Sequence, residues 1–218
     1  GLVESCLVIG NSGFRSWTIG IGDGIVRNCV VMNNDAGGAS ISGSALVEST
    51  TFEGNRHSGQ SLVSYGGVFL QGDAVISSCT FIENEGEDAG AIYARGVQFV
   101  PEPAIRNCVF VGNSSTSRAG AIFTENGTTS IENCTFIDNH AATDGGAIVT
   151  SRGYDVISNS LFINNSAGGD GGAAFVVGTR PFGSQSLTNH TFVNCTFYGN
   201  TAEGNGAAIT ASGSEVRV

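Results

Sequence analysis

The 218-residue sequence contains no lysine: its nine basic residues are all arginines, and 19 acidic residues give a formal net charge of −10. A protein that binds the phosphate backbone of a nucleic acid needs a basic surface, so we expect no nucleic-acid partner. Long apolar runs are also missing, because no stretch approaches the ~18 residues of a membrane helix. We therefore expect no membrane insertion by this segment.

Proline occurs only three times, whereas glycine occurs 33 times, roughly twice its ordinary share. The glycines have no three-residue period, which excludes a collagen. Apolar residues make up 40% of the chain and include 13 phenylalanines, so the composition supports a packed core rather than disorder. The length fits one domain.

One sequence block recurs eight times, at spacings of 21 to 35 residues. Its first position holds a small residue, its third an aromatic residue or valine, and its sixth an asparagine. The first column contains Cys6, Cys29, Thr50, Cys79, Cys108, Cys134, Ser160 and Cys195. The aromatic members of the third column are Phe52, Phe81, Phe110, Phe136, Phe162 and Phe197. The sixth column contains Asn11, Asn34, Asn55, Asn84, Asn113, Asn139, Asn165 and Asn200.

This repeat predicts a coil of short strands that stacks on itself. The cysteine and phenylalanine columns are two positions apart, which places them on one face of a strand. A repeat of this length with two or three short strands is the size of one turn of a parallel β-helix. We therefore predict an all-β fold, a parallel β-helix of about eight turns over residues 1–218, whose turns stack about 4.8 Å apart.

The motifs also resemble those of a known family. Glycine-rich segments such as Gly145-Gly-Ala-Ile alternate with Phe-x-x-Asn segments such as Phe136 to Asn139, and this combination resembles the repeat of the chlamydial polymorphic outer membrane proteins. The resemblance, together with the general rule for parallel crossovers, implies a right-handed helix. Related helices serve as adhesins, passenger domains, fibre stalks and polysaccharide-cleaving enzymes, so the resemblance is more specific for the fold than for the function.

Equivalent residues of stacked turns form ladders, and the three columns suit that arrangement. Cysteine is small and apolar, phenylalanine rings stack, and an asparagine amide can bond to the amide of the next turn. Asparagine also tolerates the left-handed conformation of a tight corner. A disulfide framework is the alternative for the six cysteines, but their single shared column favours free, buried thiols.

No set of residues indicates catalysis, and we expect no catalytic and no metal-binding residues. The three histidines lie in different repeats, and we interpret them as solvated loop residues: His57, His140 and His190. Three aspartates precede glycine corners and fit turn formation, with weak calcium binding as the alternative: Asp88, Asp144 and Asp170. We expect no other cofactor.

Charges recur two positions before the cysteine column. Glu4, Arg27 and Glu48 alternate in sign, which predicts an ion-pair ladder on the surface. Arg27 and Arg106 could instead hold an acidic sugar.

Six Asn-x-Ser/Thr sequons offer glycosylation sites: Asn113, Asn126, Asn133, Asn164, Asn189 and Asn194. Asn113 belongs to the ladder column, and Asn133 and Asn194 arise from the repeat itself. Asn126 and Asn189 lie in less regular segments, so we predict that they are the better acceptors.

Several features point to partners outside the stack. Adjacent apolar residues such as Tyr93 beside Ile92 require either a bend or an outer apolar stripe, and an outer stripe would form a lateral contact. Three long insertions, residues 56–65, 97–104 and 179–190, are candidate binding loops. No polar cap is visible at either end of the chain, which favours a segment of a longer solenoid or fibre.

The function that this sequence favours is a non-enzymatic structural or adhesive β-helix, extracellular or at the cell surface. Its expected partners are other copies or further repeats of the same protein, and glycans or host or cell-surface molecules. The alternative is a polysaccharide-binding or polysaccharide-cleaving β-helix.

Overall fold

The computed structural model describes residues 1–13, 17–57, 65–96, 103–178 and 189–217. The regular elements of these residues are thirty strands of two to five residues each, and they form four parallel sheets, which we name A, B, C and the corner sheet. Sheets A, B and C contain nine, eight and eight strands, and the corner sheet contains five.

Each turn of the chain runs through sheet A, sheet B and sheet C in that order, and the corner sheet lies between sheets B and C. The strands of sheet A are Leu2–Glu4, Ile25–Arg27, Leu46–Glu48, Val75–Ser77, Ala104–Arg106, Ser130–Glu132, Val156–Ser158, Asn189–Val193 and Glu215–Arg217. Those of sheet B are Leu7–Ile9, Val30–Met32, Thr51–Glu53, Thr80–Ile82, Val109–Val111, Thr135–Ile137, Leu161–Ile163 and Thr196–Tyr198.

The remaining two sheets close the turn. The strands of sheet C are Ile19–Gly22, Ala39–Ser42, Val68–Gln71, Ile92–Arg95, Ile122–Glu125, Ile148–Ser151, Ala174–Val177 and Ile209–Ser212. The corner sheet contains Glu85–Gly86, Ser114–Ser115, His140–Ala141, Ser166–Ala167 and Thr201–Ala202. Every strand pairs with its counterpart one turn away, so the predicted parallel β-helix of about eight turns is confirmed.

The phenylalanine column forms a continuous stack inside sheet B. Successive rings from Phe52 to Phe197 lie 4.7–5.0 Å apart between centroids, with interplanar angles of 6–8°. The rings from Phe52 to Phe162 are fully buried, whereas Phe197 in the last turn is half-buried. The stack forms because in-register pairing places each phenylalanine directly over the next, as in the pair Phe81 and Phe110.

The asparagine column forms a second ladder at the corner that follows sheet B. The amide of Asn84 illustrates the pattern: its Oδ1 accepts from the backbone N–H and the Nδ2 of Asn55, at 3.0 Å each. Its Nδ2 donates to Asn113 Oδ1 at 2.9 Å and to the carbonyl of Phe52 at 2.9 Å. The interior members of the column are completely buried, and these bonds pair the amide atoms that burial removes from water.

The left-handed corner residues are not the ladder asparagines, contrary to our prediction. The positive φ angle falls one residue earlier, at Asn33 before Asn34 and at Asn164 before Asn165. The chain therefore turns sharply just before the ladder, and the ladder residue itself points inward.

The glycine pairs at the corner before sheet C serve two purposes. Gly145 has a φ of 71°, which suits glycine. A Cβ on the next residue, Gly146, would clash with the carbonyl oxygen of Gly172 in the following turn. The second glycine thus allows the backbones of adjacent turns to approach each other closely.

Candidate functional site

The cysteine column lies at the corner between sheets A and B, and its central members point into the interior. All six cysteines carry free thiols. Cys79, Cys108 and Cys134 are each 1% exposed, whereas Cys6 in the first turn is exposed. Each buried thiol contacts a backbone carbonyl two residues earlier, such as Cys108 with Arg106 at 3.1 Å. This arrangement makes the column part of the packing.

The three central thiols also interact with one another. A hydrogen bond to Cys108, together with burial, raises the pKa of Cys79 above its ordinary range. The contact with Cys134 raises the pKa of Cys108 to about 12, and the same contact lowers that of Cys134. Because thiolates are the reactive form and these sulfurs are shielded from solvent, the three central thiols offer no accessible nucleophile.

A buried polar cluster interrupts the apolar interior between sheets C and A. Asp155 accepts a hydrogen bond from the hydroxyl of Thr124 at 2.8 Å and another from the backbone N–H of Thr129 at 2.7 Å. Its Oδ2 lies 3.2 Å from Nδ1 of His190. Asp155 is 1% exposed and His190 is 0% exposed, so a polymeric substrate could not reach either side chain in this conformation.

The interpretation of all three histidines as solvated loop residues is therefore wrong. His190 lies within a strand of sheet A and points inward, because in-register pairing places it over Asp155. His57 is also buried, and that burial lowers its pKa. Only His140 is exposed; it lies in the corner sheet, where its Nδ1 is 3.0 Å from the hydroxyl of Ser166.

Sequence reasoning missed this polar cluster, although one signal was present. Thr124 and Thr150 occupy the inward column of sheet C in which Leu70 and Val176 also lie. Two hydroxyl residues in an otherwise apolar ladder indicate a polar neighbour in the interior.

The outer face of sheet A carries the predicted alternating charges. Arg27 Nε donates to Glu4 Oε1 at 2.8 Å, and this hydrogen bond raises the pKa of Arg27. The position of Glu48 next to Arg27 in the register continues the alternation for one more turn. Arg106 lies in the same column three turns further along, so the structure does not bring Arg27 and Arg106 together.

The outer face of sheet C carries an apolar stripe that the chain itself covers. Tyr93 and Phe123 are each 3% exposed, and Val149 is 0% exposed. Ala119 packs against the stripe, and the guanidinium of Arg118 lies 5.0 Å from the centre of the Phe123 ring. The stripe does lie on the outer side of the β-helix, but these three residues are covered, so the prediction that they form a lateral contact is wrong.

The outer face of sheet B differs from both of these surfaces. It displays two outward residues from each strand, and we call this set the sheet B outer face: Leu7, Ile9, Val30, Met32, Thr51, Glu53, Thr80, Ile82, Val109, Val111, Thr135, Ile137, Leu161, Ile163, Thr196 and Tyr198. Glu53 is the one charged residue among these sixteen. All of them are partly or fully exposed.

The acidic corners bond to the backbone of the next turn. Asp144 Oδ1 accepts from the backbone N–H of Asp170 at 2.8 Å, and Asp170 Oδ1 accepts from that of Asn205 at 2.6 Å. Asp88 lies 3.9 Å from the guanidinium of Arg118. These contacts give the aspartates a role in turn formation. In the part of the chain that the structure describes, no group of three or more histidine, cysteine or acidic side chains could hold a metal ion.

The sequons fall in different environments. Asn113 is 0% exposed and its Nδ2 donates two hydrogen bonds, so it could not carry a glycan in the folded protein. The side-chain oxygen of Asn189 is buried, and Asn126 is half-buried.

Three further sequon asparagines lie at exposed, left-handed corners: Asn133, Asn164 and Asn194. These three asparagines are more exposed than Asn126 and Asn189, whose use as acceptors stays a prediction. Glycosylation itself stays a prediction. The three predicted binding loops lie mostly outside the described residues, which do not include 58–64, 97–102 and 179–188.

Comparison with known families agrees with the fold. The family described as "right handed beta helix region" matches residues 1–119 and 61–218, which together span the chain, so the protein belongs to the right-handed β-helix family. The handedness is the one that the sequence resemblance implied. No curated protein and no solved structure matches the chain. Within the described residues, no helix has the length and apolar character needed to cross a membrane.

Proposed function

We propose that this chain is a non-enzymatic structural or adhesive β-helix that is extracellular or exposed at a cell surface. The observation that carries the proposal is the filled interior, where side chains from successive turns stack on one another. Because the interior is filled, contacts with other molecules must form on the outer faces of the sheets. The Phe52–Phe162 stack and the buried asparagine ladder both run through the successive turns. Such an arrangement suits a rigid rod whose length grows with the number of turns.

The ladders also support the proposal that residues 1–218 form one segment of a longer solenoid or fibre. Each turn presents the same amide donors and acceptors to its neighbours, as Asn84 does to Asn55 and Asn113. Another turn can therefore be added without a change in the bonding pattern. The resemblance of the repeats to those of the chlamydial polymorphic outer membrane proteins favours a surface role.

The polysaccharide-active alternative gains less support from the placement of its candidate residues. Arg27 is engaged with Glu4, and Arg106 lies three turns away from it. The buried Asp155–His190 pair is shielded from solvent.

Immunolabelling of intact source cells tests the proposal. Antibodies raised against the folded chain should label cells before permeabilisation, because the protein is exposed at the surface. Labelling that requires permeabilisation would contradict the surface location. The same purified protein should release no products from acidic polysaccharides, and turnover that Arg106→Ala abolishes would favour the enzyme.

A further inference from the structure

The sheet B outer face is nearly free of charge in a strongly acidic protein. One outward residue in sixteen is charged, although the chain carries 19 acidic and nine basic residues. The outer face of sheet A, by contrast, carries a charged column that includes Glu4, Arg27 and Glu48. The difference shows that the charges are distributed unevenly around the rod.

The sheet B outer face is also regular and accessible. Its strands pair residue for residue, so Thr80 lies beside Val109 and Ile82 beside Val111. Val30 is 37% exposed, and the outward residues of the central strands are partly exposed. Threonine, valine and isoleucine dominate the two columns. This surface can pack against another sheet, because branched side chains in regular rows interdigitate with those of a facing sheet.

We propose that the sheet B outer face is a lateral contact between two copies of this chain, which pack face to face. This inference rests on the proposed structural function. Two copies with a net charge of −10 each repel one another, and the sheet B outer face lets them approach with the fewest charges at the contact. With a single charge among its outward strand residues, it suits a second copy better than the outer face of sheet A does.

The size of the face indicates a weak contact. Eight strands at about 4.8 Å spacing and three residues at about 3.3 Å give a surface of roughly 34 Å by 10 Å. Two such surfaces lie at or below the low end of the area range of specific protein interfaces. The contact is therefore concentration-dependent for this chain, and it strengthens with every further turn that a longer rod adds.

Glu53 limits the contact. In an antiparallel pair, whose two-fold axis runs along the strands through the centre of the face, the third strand of one copy meets the sixth strand of the other, so Glu53 faces Ile137. In a parallel pair, whose two-fold axis runs along the rod, Glu53 faces Thr51 of the second copy. Neither arrangement supplies a cation, and a carboxylate that loses water without a partner weakens association.

Sedimentation velocity across a wide concentration range tests the contact with four forms of the chain. The wild type should show a concentration-dependent dimer. Glu53→Gln should lower the dissociation constant about tenfold or more, because it removes the unpaired charge. Ile137→Glu places a second carboxylate on the face, opposite Glu53 in the antiparallel pair, and should raise the constant about tenfold or more. Ser158→Glu adds the same charge to the outer face of sheet A and should leave the constant within about twofold.

The outcomes separate the alternatives. If wild type and Glu53→Gln both stay monomeric at every concentration, the proposal is overturned. It is also overturned if the dimer of Ile137→Glu is as tight as that of the wild type, or if Ser158→Glu abolishes the dimer, since the contact then lies on another face. Thermal melting of each variant identifies loss of folding, and Glu53→Gln keeps the test decisive if Ile137→Glu does not fold. A monomer at the cell surface would contradict the contact alone, whereas a dimer confined inside cells would contradict the proposed function alone.

Discussion

At the scale of single residues, the asparagine ladder shows how one side chain fixes two neighbouring turns. Each interior asparagine accepts two hydrogen bonds from the preceding turn, and its Nδ2 donates one to the following turn and one back to the preceding turn, as Asn84 does. Because the amides are completely buried, a missing partner cannot be replaced by water. The identity of the residue is therefore restricted by bonding as well as by size.

We predict that Asn84→Ala destabilises the protein by about 3 kcal/mol or more. The substitution removes the acceptor for the backbone N–H and the Nδ2 of Asn55, and each buried donor left without a partner costs about 1–3 kcal/mol. Denaturant unfolding measures the loss.

Asn11→Ala is the matched control, because Asn11 is an exposed member of the same column. It donates to Asn34, and its removal leaves no buried donor of a preceding turn unpaired. A loss at Asn84 no greater than the loss at Asn11 would contradict this account of the ladder.

Single-residue departures from the repeat were the hardest features to read from the sequence. The ladders were predictable because eight copies of one block report the same inward positions. His190 and Asp155 each occur once and fall near irregular segments, so no column revealed that both point inward. The register that places His190 over Asp155 emerges only when the strands are paired.

At the scale of strands and corners, the covered stripe on sheet C adds a small second core. Tyr65, Phe69 and Tyr93 stack on the outer side of the sheet, with neighbouring ring centroids 5.6 and 5.9 Å apart. The hydroxyl of Tyr93 donates to Glu125 at 2.6 Å. The pairs of adjacent apolar residues in the sequence predicted either a bend in the chain or an outer apolar stripe. It could not predict the cover, because the covering residues come from corners whose path depends on the fold.

We predict that Tyr65 and Tyr93 resist ionisation until the protein unfolds. Burial raises the pKa of both phenols well above the ordinary range, and for Tyr93 the hydrogen bond to Glu125 adds to the effect. A raised pKa in the folded state means that the unfolded chain releases these protons first, so stability is lost as the pH rises above about 10.

Alkaline titration followed by phenolate absorbance checks this expectation. Two tyrosines should titrate together with the loss of circular dichroism. Tyr65→Phe and Tyr93→Phe should each remove one of these late-titrating groups. Complete titration of all four tyrosines while the circular dichroism stays native would contradict the burial of this stripe.

The sheet B outer face illustrates a second limit of the sequence. The repeat reveals the inward positions because few residue types fit there. The outward positions vary more: most hold threonine, valine, isoleucine or leucine, and the others are Met32, Glu53 and Tyr198. Their shared property, the near absence of charge, becomes visible only when one face of the sheet is assembled from eight separate strands.

At the scale of the whole molecule, the helix advances by one step per repeat. Repeats of 21 to 35 residues differ in length, yet each advances the helix by one strand in sheets A, B and C. The differences in length are therefore taken up between the strands rather than along the axis. A rod built in this way keeps its outer columns straight, which is the property that the proposed lateral contact requires.

Distances between spin labels along one outer column measure this advance of one strand per repeat. One variant carries cysteines in place of Val30 and Thr135, and a second carries them in place of Val30 and Thr196. Both variants also carry Cys6→Ser and Cys195→Ser, which remove the exposed and the partly exposed native thiols. The strands of these pairs lie four and six steps apart in sheet B, which predicts separations of about 19 and 29 Å at about 4.8 Å per step. Pulsed electron paramagnetic resonance should show the second distance exceeding the first by about 10 Å, or two steps. Distances that do not grow in proportion to the number of turns would contradict the stacked helix.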